Sequence, residues 1–540
     1  MRFRFMATAV TAALTLQILP LQAQPALSEW NQFRGPGGSG VAEDCRPPVV
    51  IETEKAAWRI DVPPGHSSPV LSDRLVFLTA VDNDRLVTLA LEKQTGRLAW
   101  RREVPEVPIE RVHEGNSPAA STPCVDADRV YVYFGSYGLL CYDHQGREQG
   151  DRPIPTPKTL YGMSSSPIVH DDLLILVLDN DANLPDSKVS RSKIIALGKS
   201  TGELVWEALR PFHRSGWSTP TIWTHDGGRE LVVLGNGRVR GYDAATGIEK
   251  WFAGGFSRET IARPITGENR VYASASMLGG VADENPDPEP FWSAVMRFDA
   301  NGDGKLEPGE MTEGFTFPLR PDLPVGHPGF GVPLPKDQTQ RRQRLDGMFH
   351  WIDKDKDGFW TREEFLGHIS FNRGKPNLMA IRPGGNGDVT ESHVDWALHR
   401  GIPEVPSPVL YQDRVYLVCD GGILSAVDAD HGKMIYRKRL GATGHYRSSP
   451  VIADGRLYVI SQEGVVSVVK TGDQFELEHQ HDLGQRVAAT PAIDESTIYI
   501  RTQTQLFAFR KGDITDIERE KGDITDIEDE KEMHPPGQYQ

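Results

Sequence analysis

The chain has 540 residues and a formal net charge of −16, from 59 lysines and arginines against 75 aspartates and glutamates. This acidity excludes a protein that coats nucleic acid, because phosphate binding needs a basic surface. Four cysteines (Cys45, Cys124, Cys141, Cys419) are too few for a disulfide scaffold or a cysteine-rich zinc module, and their positions do not fix which could pair. The 53 glycines and 39 prolines favour many short strands and turns over long helices.

Residues 1–23 have the pattern of a signal peptide. Arg2 and Arg4 form a basic start, an apolar stretch runs to Leu21, and Ala23 offers a small residue at the cleavage point. No later stretch approaches the ~18 consecutive apolar residues of a transmembrane helix. We therefore expect an exported chain, periplasmic or secreted, without a transmembrane segment.

Residues 24–277 and 376–510 contain a recurring unit of short strands. Each unit begins with a proline that follows a small or polar residue and precedes an apolar strand. The eight pairs are Ser68-Pro69, Thr122-Pro123, Ser166-Pro167, Thr219-Pro220, Arg263-Pro264, Ser407-Pro408, Ser449-Pro450 and Thr490-Pro491. The prolines lie 41 to 54 residues apart except at one place, which is the period of a propeller blade. The sequence predicts an all-β, eight-bladed β-propeller of four-stranded blades with a small α-helical insertion.

A tight turn and a tryptophan follow the third strand of several units. The clearest copies are Thr95-Gly96 before Trp100, Thr201-Gly202 before Trp206, and Thr246-Gly247 before Trp251. Glycine suits such a turn, and the tryptophan can cover the open face of the neighbouring unit. The last unit, from Thr490 to Phe509, has only three strands of its own. We expect a strand near Trp58 to supply the fourth and close the ring.

The Leu-x-Ala-Leu/Tyr-Asp-x-x-Thr-Gly-x-x-x-Trp unit resembles the PQQ-like repeat, which builds eight-bladed quinoprotein propellers and BamB-type outer-membrane assembly scaffolds. The segment WNQFRGP, residues 30–36, resembles the opening of exported PQQ-like repeat proteins of planctomycete-type bacteria. The resemblance implies a fold rather than an activity, because such propellers serve unrelated functions.

Two functions follow from this resemblance. In the quinoprotein dehydrogenases the PQQ cofactor lies on the propeller axis beneath adjacent cysteines, and this chain has no adjacent cysteine pair, so PQQ binding is doubtful. The lipid-anchoring cysteine of the BamB scaffold is also missing. We expect a non-catalytic recognition or scaffold protein without catalytic residues, and the alternative is a quinone-dependent oxidoreductase.

Residues 278–375 form an insertion after the second strand of the fifth unit. Its stretches 299–310 and 353–364 fit twelve-residue EF-hand loops, with oxygen ligands at positions 1, 3, 5, 7 and 12 and a glycine at position 6. The predicted calcium ligands are Asp299, Asn301, Asp303, Lys305, Glu310, Asp353, Asp355, Asp357, Phe359 and Glu364. Leu306 and Trp360, at position 8 of each loop, are expected to pair as a short bridge. The alternative is an acidic surface loop, or a hand that no longer binds.

The segments ahead of the eight prolines should gather around one mouth of the central channel. They carry a surplus of histidine and arginine: His66, His113, His213, Arg214, Arg258, Arg263, His445, Arg447 and Arg486. Such a cluster in an acidic protein suits an anionic ligand, and the alternative is ordinary solvated loop. We expect a monomer that binds a protein or an anionic glycan at this face.

Residues 511–540 form an acidic tail. The sequence KGDITDIE stands at 511–518 and is repeated at 521–528. This composition is typical of a disordered or interaction tail.

Overall fold

The computed structural model describes residues 30–181, 191–210, 213, 215–257, 259–276, 289–318, 321, 324–327, 330–353, 355–369 and 376–512. Several predicted regions lie outside these ranges: the signal peptide, most of the acidic tail, the two ends of the insertion (278–288 and 370–375), and the residues Arg214 and Arg258. No helix in the described ranges is long and apolar enough to cross a membrane.

The described chain folds into eight antiparallel sheets of four blade strands, which confirms the predicted eight-bladed β-propeller. From the inner strand outward, blade 1 is Val70–Leu71, Leu75–Asp82, Arg85–Glu92 and Leu98–Glu103; blade 2 is Cys124–Val125, Arg129–Phe134, Gly138–Asp143 and Glu148–Pro153; blade 3 is Ile168–His170, Leu173–Leu178, Lys193–Gly198 and Leu204–Leu209; blade 4 is Thr221–His225, Gly228–Gly235, Arg238–Asp243 and Glu249–Ala253; blade 5 is Ile265–Thr266, Val271–Ala275, Asn377–Ile381 and Val394–Leu398; blade 6 is Val409–Tyr411, Arg414–Cys419, Ile423–Asp428 and Met434–Arg439; blade 7 is Val451–Ala453, Arg456–Ile460, Val465–Lys470 and Glu476–Asp482; and blade 8 is Ala492–Asp494, Thr497–Arg501, Gln505–Arg510 and Trp58–Asp61.

The two middle strands of each blade supply the core. Their β-branched and aromatic runs are buried on both faces, because each sheet packs between two neighbouring sheets. The outer strands are much more exposed: Leu204–Leu209 buries only two of its six residues, and Glu148–Pro153 is exposed throughout. None of the four cysteines forms a disulfide in the described part of the chain.

The ring closes through the strand predicted near Trp58. Trp58–Asp61 pairs antiparallel with Gln505–Arg510, with Trp58 opposite Ala508. The Trp58 ring also packs against Gly96 of blade 1, where an added Cβ would lie 2.6 Å from the indole, and its Nε1 donates to the Lys93 carbonyl at 3.0 Å. The same arrangement of tryptophan over the next blade's turn glycine recurs at Trp100 with Gly146, Trp206 with Gly247, and Trp396 with Gly432. The tryptophans therefore join adjacent blades, as the repeat predicts.

The N-terminal segment ahead of Trp58 runs through the central channel, which the sequence analysis does not predict. Its strand Val41–Ala42 pairs in parallel with Val451–Ala453, the inner strand of blade 7. The carbonyls of Trp30 and Asn31 accept from the amides of Leu71 and Val125 in blades 1 and 2. Short 3-10 turns at Pro36–Gly38 and Thr53–Lys55 complete this region. We call residues 30–42 the channel segment.

The insertion leaves blade 5 after Val271–Ala275 and returns at Asn377–Ile381. These two strands pair directly, with Ser274 opposite Leu378, so the blade is complete without the insertion. The insertion contains helices α1 (Glu289–Val295), α2 (Gln338–Ile352) and α3 (Arg362–Ile369), a 3-10 turn at Met296–Phe298, and a strand pair Thr316–Pro318 with Gly331–Pro333. After it, Gly387–Asp388 adds a parallel strand to the outer edge of blade 4.

Candidate functional site

A cavity of about 290 Å³ lies at the mouth of the channel predicted from the proline-preceding loops. It is lined by Phe33, His66, Ser68, His113, Gly115, Asn116, Ala120, Thr122, Tyr161, Ser164, Ser166, Trp217, Thr219, Ile261, Glu404, Val405, Ser407, Arg447, Ser449, Ala488 and Thr490. Because Phe33 belongs to the channel segment, that segment contributes to the cavity floor. We call this space the mouth cavity.

The serine or threonine before each proline forms a hydroxyl ring around the mouth cavity. Its seven members are Ser68, Thr122, Ser166, Thr219, Ser407, Ser449 and Thr490. Each hydroxyl oxygen accepts a hydrogen bond from the backbone amide of the preceding blade, at 2.9–3.1 Å. No acceptor among the described residues takes the proton of any of these hydroxyls. The ring therefore presents hydroxyl donors to the cavity.

One wall of the mouth cavity is aromatic. The Tyr161 ring lies 4.9 Å from His113 and 5.1 Å from Trp217, measured between ring centroids. The Trp217 Nε1 donates to the Gly162 carbonyl at 2.8 Å, which fixes the indole. Asn116 beside them donates its side-chain amide to the Tyr161 carbonyl. The wall therefore joins the loops that precede blades 2, 3 and 4.

Charged groups stand around the rest of the mouth cavity. Arg447 Nη1 lies 4.0 Å from Glu404 Oε2, and burial raises the pKa of the Glu404 carboxyl. Burial lowers the pKa of His66 to about 4, and the nearby Arg501 and Arg486 guanidiniums add to this shift. His66 is therefore neutral at pH 7.

The structure places only part of the predicted histidine and arginine cluster at the mouth cavity. His66, His113 and Arg447 line it, and the exposed Arg486 is close enough to His66 to lower its pKa. His445 is exposed and pairs with Asp420 at 2.6 Å. Asn116, Phe33 and the hydroxyl ring are the lining residues that the charge pattern missed. The sequence pattern that could have identified the hydroxyl ring is the serine or threonine that repeatedly precedes proline.

Two members of that cluster need correction, because their side chains are buried away from the cavity. His213 is 4% exposed and lies against Arg240, with 3.1 Å between the two Nε atoms, and burial with the nearby arginines lowers its pKa far below the usual value. Arg263 is 1% exposed and donates to the carbonyls of Phe33 and Gly37 in the channel segment. Long side chains before an inner strand can turn inward as well as toward solvent, and the loop position alone does not decide between them.

The first acidic loop of the insertion wraps its carboxylates inward. Asp299 accepts from the amides of Gly302 at 2.7 Å and Gly304 at 3.0 Å. Glu310, eleven residues later, accepts from the amide of Ala300 at 2.8 Å. Gly304 has φ of 81°, which is why glycine occupies that position.

The second acidic loop repeats this geometry. Asp353 accepts from the amide of Gly358 at 3.0 Å, and Gly358 has φ of 90°. Ligand oxygens of Asp353, Asp355 and Glu364 lie within 4.8 Å of one another. Asp353 is 8% exposed, and its Oδ1 has no hydrogen-bond partner among the described residues. These oxygens converge on one point.

The two loops are joined as predicted at Leu306 and Trp360. Each residue's amide donates to the other's carbonyl, at 3.1 and 2.8 Å, in an isolated antiparallel bridge. The Trp360 ring is fully buried and stacks on Phe349 with 5.1 Å between centroids. The insertion thus has its own small apolar core directly beneath the loops.

Comparison with known proteins identifies the family through a family model and finds several similar solved structures. The chain is similar to the crystal structure of BamB from Moraxella catarrhalis (10% identity, 85% of this chain and 98% of that chain, TM-score 0.48). It is also similar to a europium-containing methanol dehydrogenase (10%, 90% and 98%, TM-score 0.42) and to quinohemoprotein alcohol dehydrogenase from Comamonas testosteroni (13%, 89% and 81%, TM-score 0.39). No sequence relative is found among curated proteins. A family model described as outer membrane protein assembly factor BamB matches residues 46–184, 187–284 and 384–528, more than half of the chain. The chain therefore belongs to that family.

Proposed function

We propose that this protein is an exported, calcium-binding propeller that recognises a carboxylate-bearing ligand at the mouth cavity without catalysing a reaction. The observation that carries the proposal is the hydroxyl ring, which offers donors to the cavity from seven blades. Export is supported by the basic and apolar pattern of residues 1–23.

The hydrogen bonds of the ring bias the cavity toward anionic groups. Each ring hydroxyl already accepts from a backbone amide, so its proton is available for donation to a ligand. A set of converging donors stabilises carboxylate oxygens better than it stabilises donor groups. Arg447 and the exposed Arg486 add positive charge at the same mouth, and Glu404 holds Arg447 until a ligand carboxylate replaces it.

The aromatic wall favours a sugar acid over an acidic peptide as the occupant. His113, Tyr161 and Trp217 form a continuous aromatic wall that lines the cavity together with the hydroxyl ring. A pyranose ring has apolar C–H faces and polar edges, and it matches such a site better than a flexible side chain does. The cavity of about 290 Å³ accommodates the end of a chain rather than a whole polymer.

A quinone-dependent oxidoreductase is the alternative function, and the cavity lining does not fit its cofactor. A quinone with three carboxylates needs several cations, whereas the described residues of the lining include one guanidinium, Arg447, which already faces Glu404. The lining also contains no cysteine. Quinone analysis of the protein purified from its native compartment separates the two functions, because a stoichiometric quinone would overturn the non-catalytic proposal.

The mouth proposal is tested by binding to immobilised polygalacturonate, with neutral dextran and poly-glutamate as parallel surfaces. The double change Arg447→Gln and Arg486→Gln should weaken polygalacturonate binding at least about tenfold, since two charge-assisted contacts are lost. The matched control is Arg59→Gln on the outer strand of blade 8, which should bind like the parent chain. Equal binding to dextran, equal binding by the double variant, or binding to poly-glutamate alone contradicts the proposed ligand.

Calcium binding by the insertion is the second part of the proposal. Calcium prefers six to eight oxygen ligands, and each loop supplies carboxylates at positions 1, 5 and 12 with a glycine turn at 6. The predicted ligands Asp353, Asp355 and Glu364 converge, and the orphaned Oδ1 of Asp353 is a suitable donor for a cation. Bound calcium would remove the repulsion between these carboxylates.

Isothermal titration of the chelated protein with calcium tests this part. We expect up to two sites, and Glu364→Gln should abolish the tighter one because a bidentate ligand becomes a neutral one. The adjacent, exposed Glu363→Gln is the matched control and should leave both sites unchanged. The absence of heat up to millimolar calcium, or equal loss in both variants, contradicts calcium binding at these loops.

A further inference from the structure

Two buried arginines with no carboxylate partner among the described residues both contact the channel segment. Arg34 belongs to the channel segment and is 0% exposed, and Arg263 stands before the inner strand of blade 5 and is 1% exposed. Burial lowers the pKa of both to about 9, and the charge of Arg263 adds to the shift at Arg34. Neither forms an ion pair with any carboxylate in the described part of the chain, and no carboxylate opposes their pKa shifts.

Arg263 is held by neutral groups of the channel segment and blade 4. Its Nη1 donates to the Phe33 carbonyl at 2.7 Å, its Nη2 to Gly37 at 3.2 Å, and its Nε to the Thr221 hydroxyl at 3.2 Å. Gly38 permits this contact, because a Cβ there would lie 1.8 Å from the guanidinium carbon. These acceptors orient the group but leave its charge uncompensated.

Arg34 is bound on one side only. Its Nη2 donates to the carbonyl of Pro408 at 2.7 Å and to that of Ser39 at 3.3 Å. Its Nε and Nη1 have no hydrogen-bond partner among the described residues. Arg34 also adopts a φ of 66°, which is unfavourable for a residue with a side chain, so the surrounding structure holds it in place.

A buried guanidinium stays protonated near neutral pH, so its positive charge remains in the protein interior. Burial of an unpaired charge is strongly unfavourable, and two like charges together increase the cost. A water molecule could fill the hydrogen bonds of Nε and Nη1 but would leave both charges uncompensated. A small anion satisfies the donors and reduces the charge at the same time.

We propose that Arg34 and Arg263 bind a small monovalent inorganic anion, chloride in a saline environment, which fastens the channel segment inside the propeller. Because both guanidiniums are fully buried, a small anion suits the site better than a bulky carboxylate or phosphate ligand. It is separate from the mouth cavity, whose lining includes neither arginine. The inference therefore does not depend on what the cavity binds.

Diffraction from crystals of the full chain grown or soaked in bromide tests the site directly. We expect an anomalous bromide peak within about 3.5 Å of Arg34 Nε or Nη1, at hydrogen-bonding distance for a halide. Density that refines as water without an anomalous signal would overturn the proposal. This measurement uses the unaltered protein and does not depend on a variant that folds.

Thermal unfolding gives the second test. Replacing gluconate with chloride at constant ionic strength should raise the midpoint in a saturable way, by about 1–3 °C for a chain of this size. Arg34→Met and Arg263→Ser should each lose this chloride dependence, whereas the exposed control Arg59→Met should keep it. Equal midpoints in chloride and gluconate for the unaltered protein, or a retained chloride shift in Arg34→Met, would contradict the assignment.

Discussion

The propeller and the insertion are stabilised in different ways. Each blade buries its middle strands between two neighbours, and tryptophans and ring hydroxyls join one blade to the next. The insertion has one small apolar core around Trp360 and two acidic loops, and the second loop brings ligand oxygens of Asp353, Asp355 and Glu364 within 4.8 Å of one another. The propeller is thus stabilised by apolar burial and closure, and the insertion depends on compensation of its charges.

The connection between the two regions makes this difference testable. Because Ser274 and Leu378 are directly opposite in blade 5, the insertion is attached through a single strand pair. Loss of order in the insertion therefore does not require any blade to open.

Removal of the closing strand should have the largest effect. A chain that begins after Val62 lacks the outer strand of blade 8, the Trp58 contact with blade 1 and the channel segment. We expect loss of the cooperative unfolding transition, followed by circular dichroism. A chain that begins at Trp30 is the control and should melt like the full chain; an unchanged curve for the shorter chain would show that closure is dispensable.

Two tryptophan substitutions separate the regions. Trp360→Ala removes a fully buried ring from the insertion and should destabilise it by about 3–5 kcal/mol while the blades melt at their usual temperature. Trp396→Ala removes the contact with Gly432 between blades 5 and 6 and should lower the main transition. Calorimetry would resolve the two transitions. A main transition lowered equally by both changes would mean that the insertion and the ring unfold together.

A single hydroxyl of the ring should have a smaller effect. Ser166→Ala leaves the amide of Thr122 without its acceptor and should cost about 1–3 kcal/mol of unfolding free energy. It should also weaken polygalacturonate binding. Ser164 lines the same cavity but lies outside the ring, so Ser164→Ala should leave stability unchanged. Equal effects of both substitutions on stability would show that the ring bonds contribute nothing.

The pH dependence of the mouth should come from a single histidine. Because the folded pKa of His66 is lowered to about 4, neutral His66 contributes stability above pH 6.5 that is lost as pH falls toward 4. Protonation also adds positive charge beside the ligand, so polygalacturonate binding should strengthen in that window if the sugar acid stays ionised. His66→Gln should flatten both dependences, measured by urea unfolding and by binding at pH 4–7. An unchanged slope in the variant would place the titrating group elsewhere.

The repeated parts of the fold could be predicted because their signals occur many times. The eight prolines mark the inner strands, the missing fourth strand predicts closure by Trp58, and matching positions in two loops predict the Leu306–Trp360 bridge. In each case a local pattern determines a local partner.

Features that depend on one distant contact could not be predicted. The path of the channel segment depends on hydrogen bonds to six blades. No sequence pattern within the segment indicates that it pairs with these blades. Arg263 did carry a signal, as the one arginine among eight positions before proline, but sequence position suggested the cavity rather than the channel segment. His213 turned inward for the same reason, since burial depends on neighbours that the loop does not encode.

Hydrogen–deuterium exchange with calcium and with chelator tests the central difference between the two regions most directly. Chelation should speed exchange in residues 299–310, 353–364 and α3, because their acidic ligands then repel one another without compensation. The amides of the middle strands of all eight blades should exchange at the same rate in both conditions. Loss of protection in the blades on chelation, or identical exchange of the insertion in both conditions, would contradict this account.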